Sequence, residues 1–228
     1  MSEDPFGILV VDKEKDMTSH DVVNLVRKRF GIKKAGHAGT LDPNATGVLV
    51  LLLGKATKLS GQFLSDDKEY LATMKLGEKT DSGDCDGNII EAKDVKAKEE
   101  DIKEAFKEFI GETEQIPPMV SAKRIGGKRL YKLARRGIEV ERKPQGIVIK
   151  ELEVEAIELP LVKFRVVCSK GTYIRQLADD IGERLSCGAH LVELSRTRSG
   201  SFSLKEAVAF SSLKEMDKET FNENIIRL

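Results

Sequence analysis

Apolar and polar residues follow two patterns along this chain, and together these patterns predict a mixture of strands and helices. Continuous apolar runs at Gly7–Val11 and Val48–Leu53 predict buried strands. Apolar residues at helical spacing predict amphipathic helices over Glu99–Ile110 and Thr172–Leu185. Because these elements mix without a regular β–α–β repeat, the pattern predicts an α+β fold with a mixed, largely antiparallel sheet flanked by helices.

Local signals mark where several elements begin and end. Thr18 or Ser19 caps a helix that runs to about Phe30, and Gly31 follows at the C-terminal cap position. Ser203–Glu206 has the spacing of a capping box, which predicts the start of a last helix. Further strands are predicted at Tyr70–Leu76, Leu152–Ala156, Leu161–Cys168 and Leu191–Ser195.

Composition narrows the class of protein. The chain has 228 residues, and its longest apolar run, Val48–Leu53, is far shorter than the roughly 18 residues of a membrane span. The first five residues lack the features of a signal peptide, and the three cysteines form no Cys-x-x-Cys pair. We therefore expect a cytoplasmic protein that does not contact a membrane and has no zinc or redox motif.

Zero net charge, from 38 basic and 38 acidic residues, conceals two charged segments of opposite sign. Val120–Lys150 holds ten basic residues against two acidic ones, a net charge of +8. Asp66–Pro118 holds sixteen acidic residues against eight lysines, a net charge of −8. The basic stretch Ser121–Arg142 also contains Tyr131, and basic groups around an aromatic ring suit an RNA backbone with a stacked base. A solvated helix face is the alternative.

Two segments are superficially similar to a phosphate-binding loop and to a calcium-binding loop, but neither matches the motif. The glycines of Gly47–Ala56 are too far apart for a phosphate-binding loop, and Ala56 lacks the required hydroxyl. In Asp81–Gly87 the best calcium-loop register puts Ser82 at the first ligand and Lys93 at the bidentate glutamate. We therefore expect neither a cofactor nor a metal.

Asp42 and Arg175 are the candidates for chemistry. Two glycines and Pro43 constrain the loop around Asp42, which is either a nucleophile or base, or simply a turn former. Arg175 falls in the first turn of a predicted helix, where a cation is poorly placed against the helix dipole. That position indicates a carboxylate or phosphate partner, although a solvated arginine fits the pattern too.

Ordered motifs run from Phe6 to about Phe210: Gly7–Lys13, Thr18–Asp21, Gly36–Leu49, Lys68–Tyr70, Leu76–Asp81, Asp84–Gly87, Ile116–Lys123, Gly127–Gly137, Ser169–Arg175, Cys187–Leu191 and Arg196–Gly200. In content and order they resemble the TruB-type pseudouridine synthases, which isomerise a uridine in the T-loop of transfer RNA. The resemblance implies the pseudouridine synthase fold, an isomerase activity without cofactor, and the tRNA T-arm as partner.

The resemblance also assigns roles. Asp42 matches the essential carboxylate, which attacks C1′ or assists departure of the base. Arg175 matches the arginine that pairs with this aspartate. Tyr70 matches the tyrosine that stacks on the target base and takes the C5 proton. Matches to substrate-binding positions or to the RNA-binding insertion at residues 118–146 are His37, Leu194, Lys13, Asp84, Lys123, Arg124, Lys128, Arg129, Tyr131 and Arg135.

Two departures from the family pattern change the expectations. Ser195 stands where relatives usually carry the first of two arginines. The length suggests a single catalytic domain over residues 1–228, without the C-terminal PUA domain of most relatives, and we expect a monomer. A guide-RNA-dependent subunit and a non-catalytic tRNA-binding or chaperone module are the alternatives.

Overall fold

The computed structural model describes residues 5–121, 123–134 and 136–228. Its strands are β1 (Gly7–Lys13), β2 (Ala35–His37), β3 (Thr46–Leu53), β4 (Lys68–Leu76), β5 (Glu78–Thr80), β6 (Ile89–Ala92), β7 (Gly111–Gln115), β8 (Arg124–Ile125), β9 (Lys128–Arg129), β10 (Gln145–Glu158), β11 (Leu161–Cys168), β12 (Ala189–Ser199), β13 (Phe202–Ser203), β14 (Val208–Ala209) and β15 (Ile226–Arg227). Its α-helices are α1 (Ser19–Phe30), α2 (Ser60–Ser65), α3 (Glu99–Glu108), α4 (Leu130–Ala134), α5 (Ile174–Arg184), α6 (Phe210–Leu213) and α7 (Lys218–Glu223), with 3₁₀ helices at Gly54–Leu59 and Leu204–Glu206.

The chain divides into two compact units. The first comprises residues up to Tyr70 together with Leu194–Leu228, and the second comprises Leu71–Glu193. Strands β4 and β12 each contribute residues to both units. Among the described residues, none of the helices is both long enough and apolar enough to traverse a membrane. The prediction of a single catalytic domain stays a prediction.

The first unit is built around β1 and β3, which pair antiparallel from Gly7–Leu53 to Lys13–Gly47. The other edge of β1 pairs with β14 in parallel and with β15 antiparallel. The other edge of β3 pairs with β2 antiparallel and, through Thr46 and Gly47, with β12 in parallel. Most pairings are therefore antiparallel, as predicted.

Alternate residues of β1 and β3 enter two different apolar clusters. Leu49 and Leu51 pack with α1, whereas Val48 and Val50 belong to the second cluster. A strand that is buried on both faces requires an unbroken apolar run, which explains Val48–Leu53. The C-terminal helix α7 closes the first cluster by stacking Phe221 on Phe30, with ring centroids 3.8 Å apart.

In the second unit β4, β11, β10 and β7 are neighbours in that order. β10 pairs antiparallel with both β11 and β7. Phe106 of α3 packs edge-on against Phe164 of β11, with ring centroids 5.4 Å apart. On α5, the described contacts include a charged pair between Arg184 and Glu108 of α3.

Three predictions need correction. The helix predicted at Thr172–Leu185 begins only at Ile174, with Tyr173 as its N-cap residue. The Ser203 capping box forms, but it heads a one-turn 3₁₀ helix, and α6 and α7 follow it. The alternation over Leu152–Ala156 fails at Ala156, which is exposed because β10 is bulged between Val154 and Ala156.

Candidate active site

Asp42 lies on the Asp42 loop, which we define as residues 38–45 between β2 and β3. Apolar side chains anchor this loop, because Ala38, Leu41 and Ala45 are buried in the apolar clusters of the first unit. The Ala38 N–H donates to the Val50 carbonyl over 2.9 Å, and the Ala45 N–H donates to the Asp42 carbonyl over 3.1 Å. Asp42 itself is half-buried. The loop therefore presents a carboxylate on a constrained backbone, as the sequence predicts.

Lys13 lies in the interior beside this loop and is fully buried. Its ammonium donates to the carbonyls of Glu14, Met17 and Pro43 over 2.8, 2.9 and 3.0 Å. Burial lowers the pKa of Lys13 to about 8, against the opposing effect of the negative charge on Asp42. The contacts favour a role in holding the Asp42 loop.

Tyr70 and Leu194 are both half-buried and both pack against the apolar cluster that contains Leu41 and Ala45. The first unit thus brings these two side chains to the cluster that anchors the Asp42 loop. His37 is half-buried on β2, opposite Leu51 of β3 and immediately before the loop. An aromatic ring, an aliphatic side chain and an imidazole are groups that can contact a nucleobase.

Arg175 lies at the start of α5, and its side chain is only 4% exposed. Its guanidinium donates to the carbonyls of Ser82 and Val120 over 2.9 and 2.7 Å, and lies 3.4 Å from a carboxylate oxygen of Asp84. The expected carboxylate partner is therefore present, and the solvated-arginine alternative is wrong. The pairing of Arg175 with Asp42 stays a prediction.

The basic insertion forms a hairpin followed by a short helix. Arg124 of β8 pairs with Arg129 of β9, and two glycines with positive φ make the turn between them. The Arg129 guanidinium lies 6.0 Å from the centre of the Tyr131 ring and contacts its hydroxyl over 3.3 Å. Lys123 donates to Gln145 over 2.6 Å at the base of the hairpin.

Exposed cations of the hairpin, of α4 and of the turn that follows it line one groove, which we call the hairpin groove; its lining includes Arg124, Lys128, Arg129, Lys132 and Arg136. Leu130 and Leu133 of α4 are buried. Such a groove can accept phosphates. Arg135, also predicted to bind substrate, lies outside the described residues. Within the described ranges, no three or more histidine, cysteine or acidic side chains cluster in a way that could hold a metal ion.

Sequence reasoning placed Ser19 and Arg196 in family motifs but assigned neither of them a role at the Asp42 loop, which both contact. Ser19 exchanges hydrogen bonds with Leu41, and Arg196 donates to the carbonyls of Gly39 and Val48. Lys13 was named through the family resemblance, but a serine at a helix start and an arginine in a strand are common and give no signal of such a role.

Comparisons with known proteins show which family the chain resembles. The model of the TruB family pseudouridylate synthase N-terminal domain matches residues 27–174, and that of the tRNA pseudouridylate synthase B C-terminal domain matches residues 175–227. A solved Cbf5–Nop10–Gar1 complex contains a chain with 34% identity and a TM-score of 0.74, and the match covers 97% of this chain and 60% of that one. An H/ACA ribonucleoprotein bound to a substrate RNA gives 32% identity and a TM-score of 0.71, covering 97% and 59%.

The fold is therefore that of the pseudouridine synthases, a class of isomerases. Curated relatives narrow the class. The protein named tRNA pseudouridine synthase B from Protochlamydia amoebophila is 50% identical over 97% of this chain and 84% of its own length. The protein of that name from Chlamydia felis is 48% identical over 96% of both chains. The chain belongs to the TruB family of pseudouridylate synthases, as its sequence motifs indicate.

Proposed function

We propose that this protein converts the T-loop uridine of tRNA to pseudouridine, with Asp42 as the essential carboxylate. The observation that supports tRNA as the substrate is the 50% identity, over 97% of this chain, to a protein named tRNA pseudouridine synthase B. The reaction breaks the C1′–N1 bond, turns the uracil and forms a C1′–C5 bond. It needs no electron or phosphate donor, so the side chains of the protein can supply all the catalysis.

Asp42 either attacks C1′ or stabilises the sugar as the base departs, and both routes require an ionised carboxylate. The constrained backbone of the Asp42 loop supports this role, because a fixed nucleophile loses little orientational freedom on reaching the transition state. Tyr70 stacks on the displaced base and takes the proton from C5. Arg175 supplies the positive charge that pairs with Asp42, the role that the family resemblance implies for it.

The target base must leave its stack to reach Asp42, which costs a few kcal/mol. In the proposal, His37 and Leu194 contact the displaced loop, while Lys13 and Asp84 hold catalytic groups in place. Cations of the hairpin groove bind T-arm phosphates, and Tyr131 offers a ring for stacking. The protein acts as a monomer on the T-arm.

A guide-RNA-dependent synthase subunit is the second candidate, and the structural similarity to the chain of a Cbf5–Nop10–Gar1 complex favours it. The identity is lower there, at 34% against 50% for the tRNA-named relative. A non-catalytic tRNA-binding module would not require a carboxylate, a stacking tyrosine and a buried arginine.

One experiment separates the three. The purified protein is incubated alone with an unmodified tRNA transcript, and pseudouridine is mapped at each uridine, beside Asp42→Asn. We expect product at the T-loop uridine with the wild type and none with the variant. Product that appears only with an added guide RNA would favour the second candidate. Binding without product would leave the non-catalytic module, and an active Asp42→Asn would remove Asp42 from the chemistry.

A further inference from the structure

We propose that Ser19 and Arg196 are positioning residues that hold the Asp42 loop at defined points, so that the carboxylate meets the sugar in one orientation. This inference rests on the proposed function, in which Asp42 is the essential carboxylate. Both side chains are buried and both belong to the first unit, like the loop itself. They reach it from different elements, α1 and β12.

Ser19 fixes the residue immediately before Asp42. Its hydroxyl accepts a hydrogen bond from the Leu41 N–H over 2.8 Å and donates one to the Leu41 carbonyl over 3.1 Å. Ser19 and Leu41 are 2% and 3% exposed, so water has little access to replace either bond. One oxygen atom thus satisfies both backbone groups of Leu41, and its removal would leave both buried and unpaired.

Arg196 forms hydrogen bonds to residues on both sides of Asp42 in the sequence. Its Nε donates to the Val48 carbonyl over 2.7 Å and its Nη2 to the Gly39 carbonyl over 3.0 Å. Gly39 precedes Asp42 and Val48 follows it, so a single planar guanidinium spans the segment that carries the carboxylate. A lysine ammonium is a compact donor without this fork and does not reproduce both contacts in the same geometry.

The backbone of Arg196 is itself fixed. It pairs in parallel with Gly47 of β3, and a Cβ atom at Gly47 would lie 2.3 Å from the Arg196 carbonyl oxygen. The side chain therefore starts from a defined point in the sheet. A displacement of about 1 Å in catalytic geometry can cost about 100-fold in rate. We therefore expect the contacts that fix the loop to affect the reaction rate as well as the stability of the fold.

This role predicts a specific kinetic defect. Ser19→Ala removes one oxygen atom and leaves the hairpin groove of the second unit untouched. We expect the single-turnover rate of pseudouridine formation, at saturating protein on an unmodified tRNA transcript, to fall about 10- to 100-fold. The dissociation constant for the same tRNA should stay within about twofold of wild type, because binding and chemistry depend on different groups. Circular dichroism at the assay temperature checks that the variant is folded.

Arg196→Lys is the second variant and Ser203→Ala the matched control. Arg196→Lys keeps the charge but loses the fork, so its single-turnover rate should also fall with little change in tRNA affinity. Ser203→Ala deletes a capping hydroxyl in the same unit whose described contacts are with Lys205 and Glu206 rather than with the loop, and it should leave the rate unchanged. Wild-type rates in folded Ser19→Ala and Arg196→Lys would overturn the proposal, as would a loss confined to affinity or an equal loss in Ser203→Ala.

Asp42→Asn in the same assay separates this inference from the function on which it rests. If Asp42→Asn is active, the catalytic assignment fails whatever Ser19→Ala does. If Asp42→Asn is inactive while both positioning variants keep the wild-type rate, only the positioning role fails.

Discussion

The Lys13 ammonium lies in the interior of the first unit, where it donates hydrogen bonds to three backbone carbonyls. Its pKa is lowered to about 8 from an ordinary value of 10.5, chiefly by burial. Between these two pH values the unfolded chain binds the proton and the native protein does not. The contribution of Lys13 to the free energy of unfolding therefore rises as the pH increases from about 8 towards 10.5.

Lys13→Met should abolish this pH dependence, since methionine does not titrate. We expect the free energy of unfolding of the wild type to rise relative to Lys13→Met across this window, by at most about 3 kcal/mol. Urea unfolding at several pH values measures the difference. Lys103→Met, on an exposed lysine of α3, should keep the wild-type profile, and parallel profiles for Lys13→Met would contradict the lowered pKa.

Arg175 and Arg184 lie on the same helix but in opposite environments. Arg175 is 4% exposed and holds two carbonyls and Asp84, whereas the side chain of Arg184 is 53% exposed in its pair with Glu108. Arg175→Lys should lower the free energy of unfolding by about 1–3 kcal/mol, because buried carbonyls lose donors. Arg184→Lys should lower it much less, because an ion pair in contact with water contributes little to stability. Equal effects in urea unfolding would show that burial does not decide the cost.

Residue patterns predict a constrained loop better than they predict contacts between distant residues. Two glycines and a proline mark the loop of Asp42, whereas its role as the essential carboxylate comes from the family resemblance and stays a prediction. The contact of Arg196 with Gly39 joins residues 157 positions apart, and that of Lys13 with Pro43 joins residues 30 apart. Local periodicity carries no information about such pairs, so the hold on the Asp42 loop could be found only in the folded chain.

Elements with strong local signals could be predicted well. Thr18 and Asp21 form the capping box of α1, and Gly31 ends it with φ of 70°. β3 is buried on both faces, as its apolar run indicates. The bulge in β10 was not predictable, because it depends on pairing with β11. Ser203 heads only one turn because the chain pairs with β1 through β14 directly afterwards.

Gly47 joins β3 to β12 and should tolerate no side chain. Its φ of 97° is unfavourable for other residues, and a Cβ would meet the Arg196 backbone at 2.3 Å. Gly47→Ala should therefore lower the free energy of unfolding by more than about 3 kcal/mol.

Gly61 of α2 is the control for that substitution. A Cβ there meets nothing within 4 Å, so Gly61→Ala should be neutral or stabilising by about 0.5–1 kcal/mol. Thermal unfolding of both variants tests the pair. A mild effect at Gly47 would mean that the β3–β12 contact relaxes easily.

The whole molecule combines zero net charge with strong segregation along the chain. If net charge governed RNA binding, a protein with a pI near 6.9 would show little affinity at neutral pH. Counterion release depends instead on the cations that meet phosphates. The hairpin groove gathers exposed cations that we propose for this role, whereas the acidic segment contains lysines paired with carboxylates, Lys93 with Glu91 and Lys103 with Glu99.

Two variants with the same change in net charge distinguish these views. The first replaces four groove cations by glutamine: Arg124, Lys128, Arg129 and Lys132. The second replaces four lysines of the acidic segment: Lys93, Lys96, Lys98 and Lys103. We expect the plot of log tRNA affinity against log salt to lose about 3 units of slope in the first variant and almost none in the second. Filter binding over a range of salt concentrations measures both slopes. Equal losses would show that net charge, rather than its placement on the hairpin, determines how this protein holds RNA.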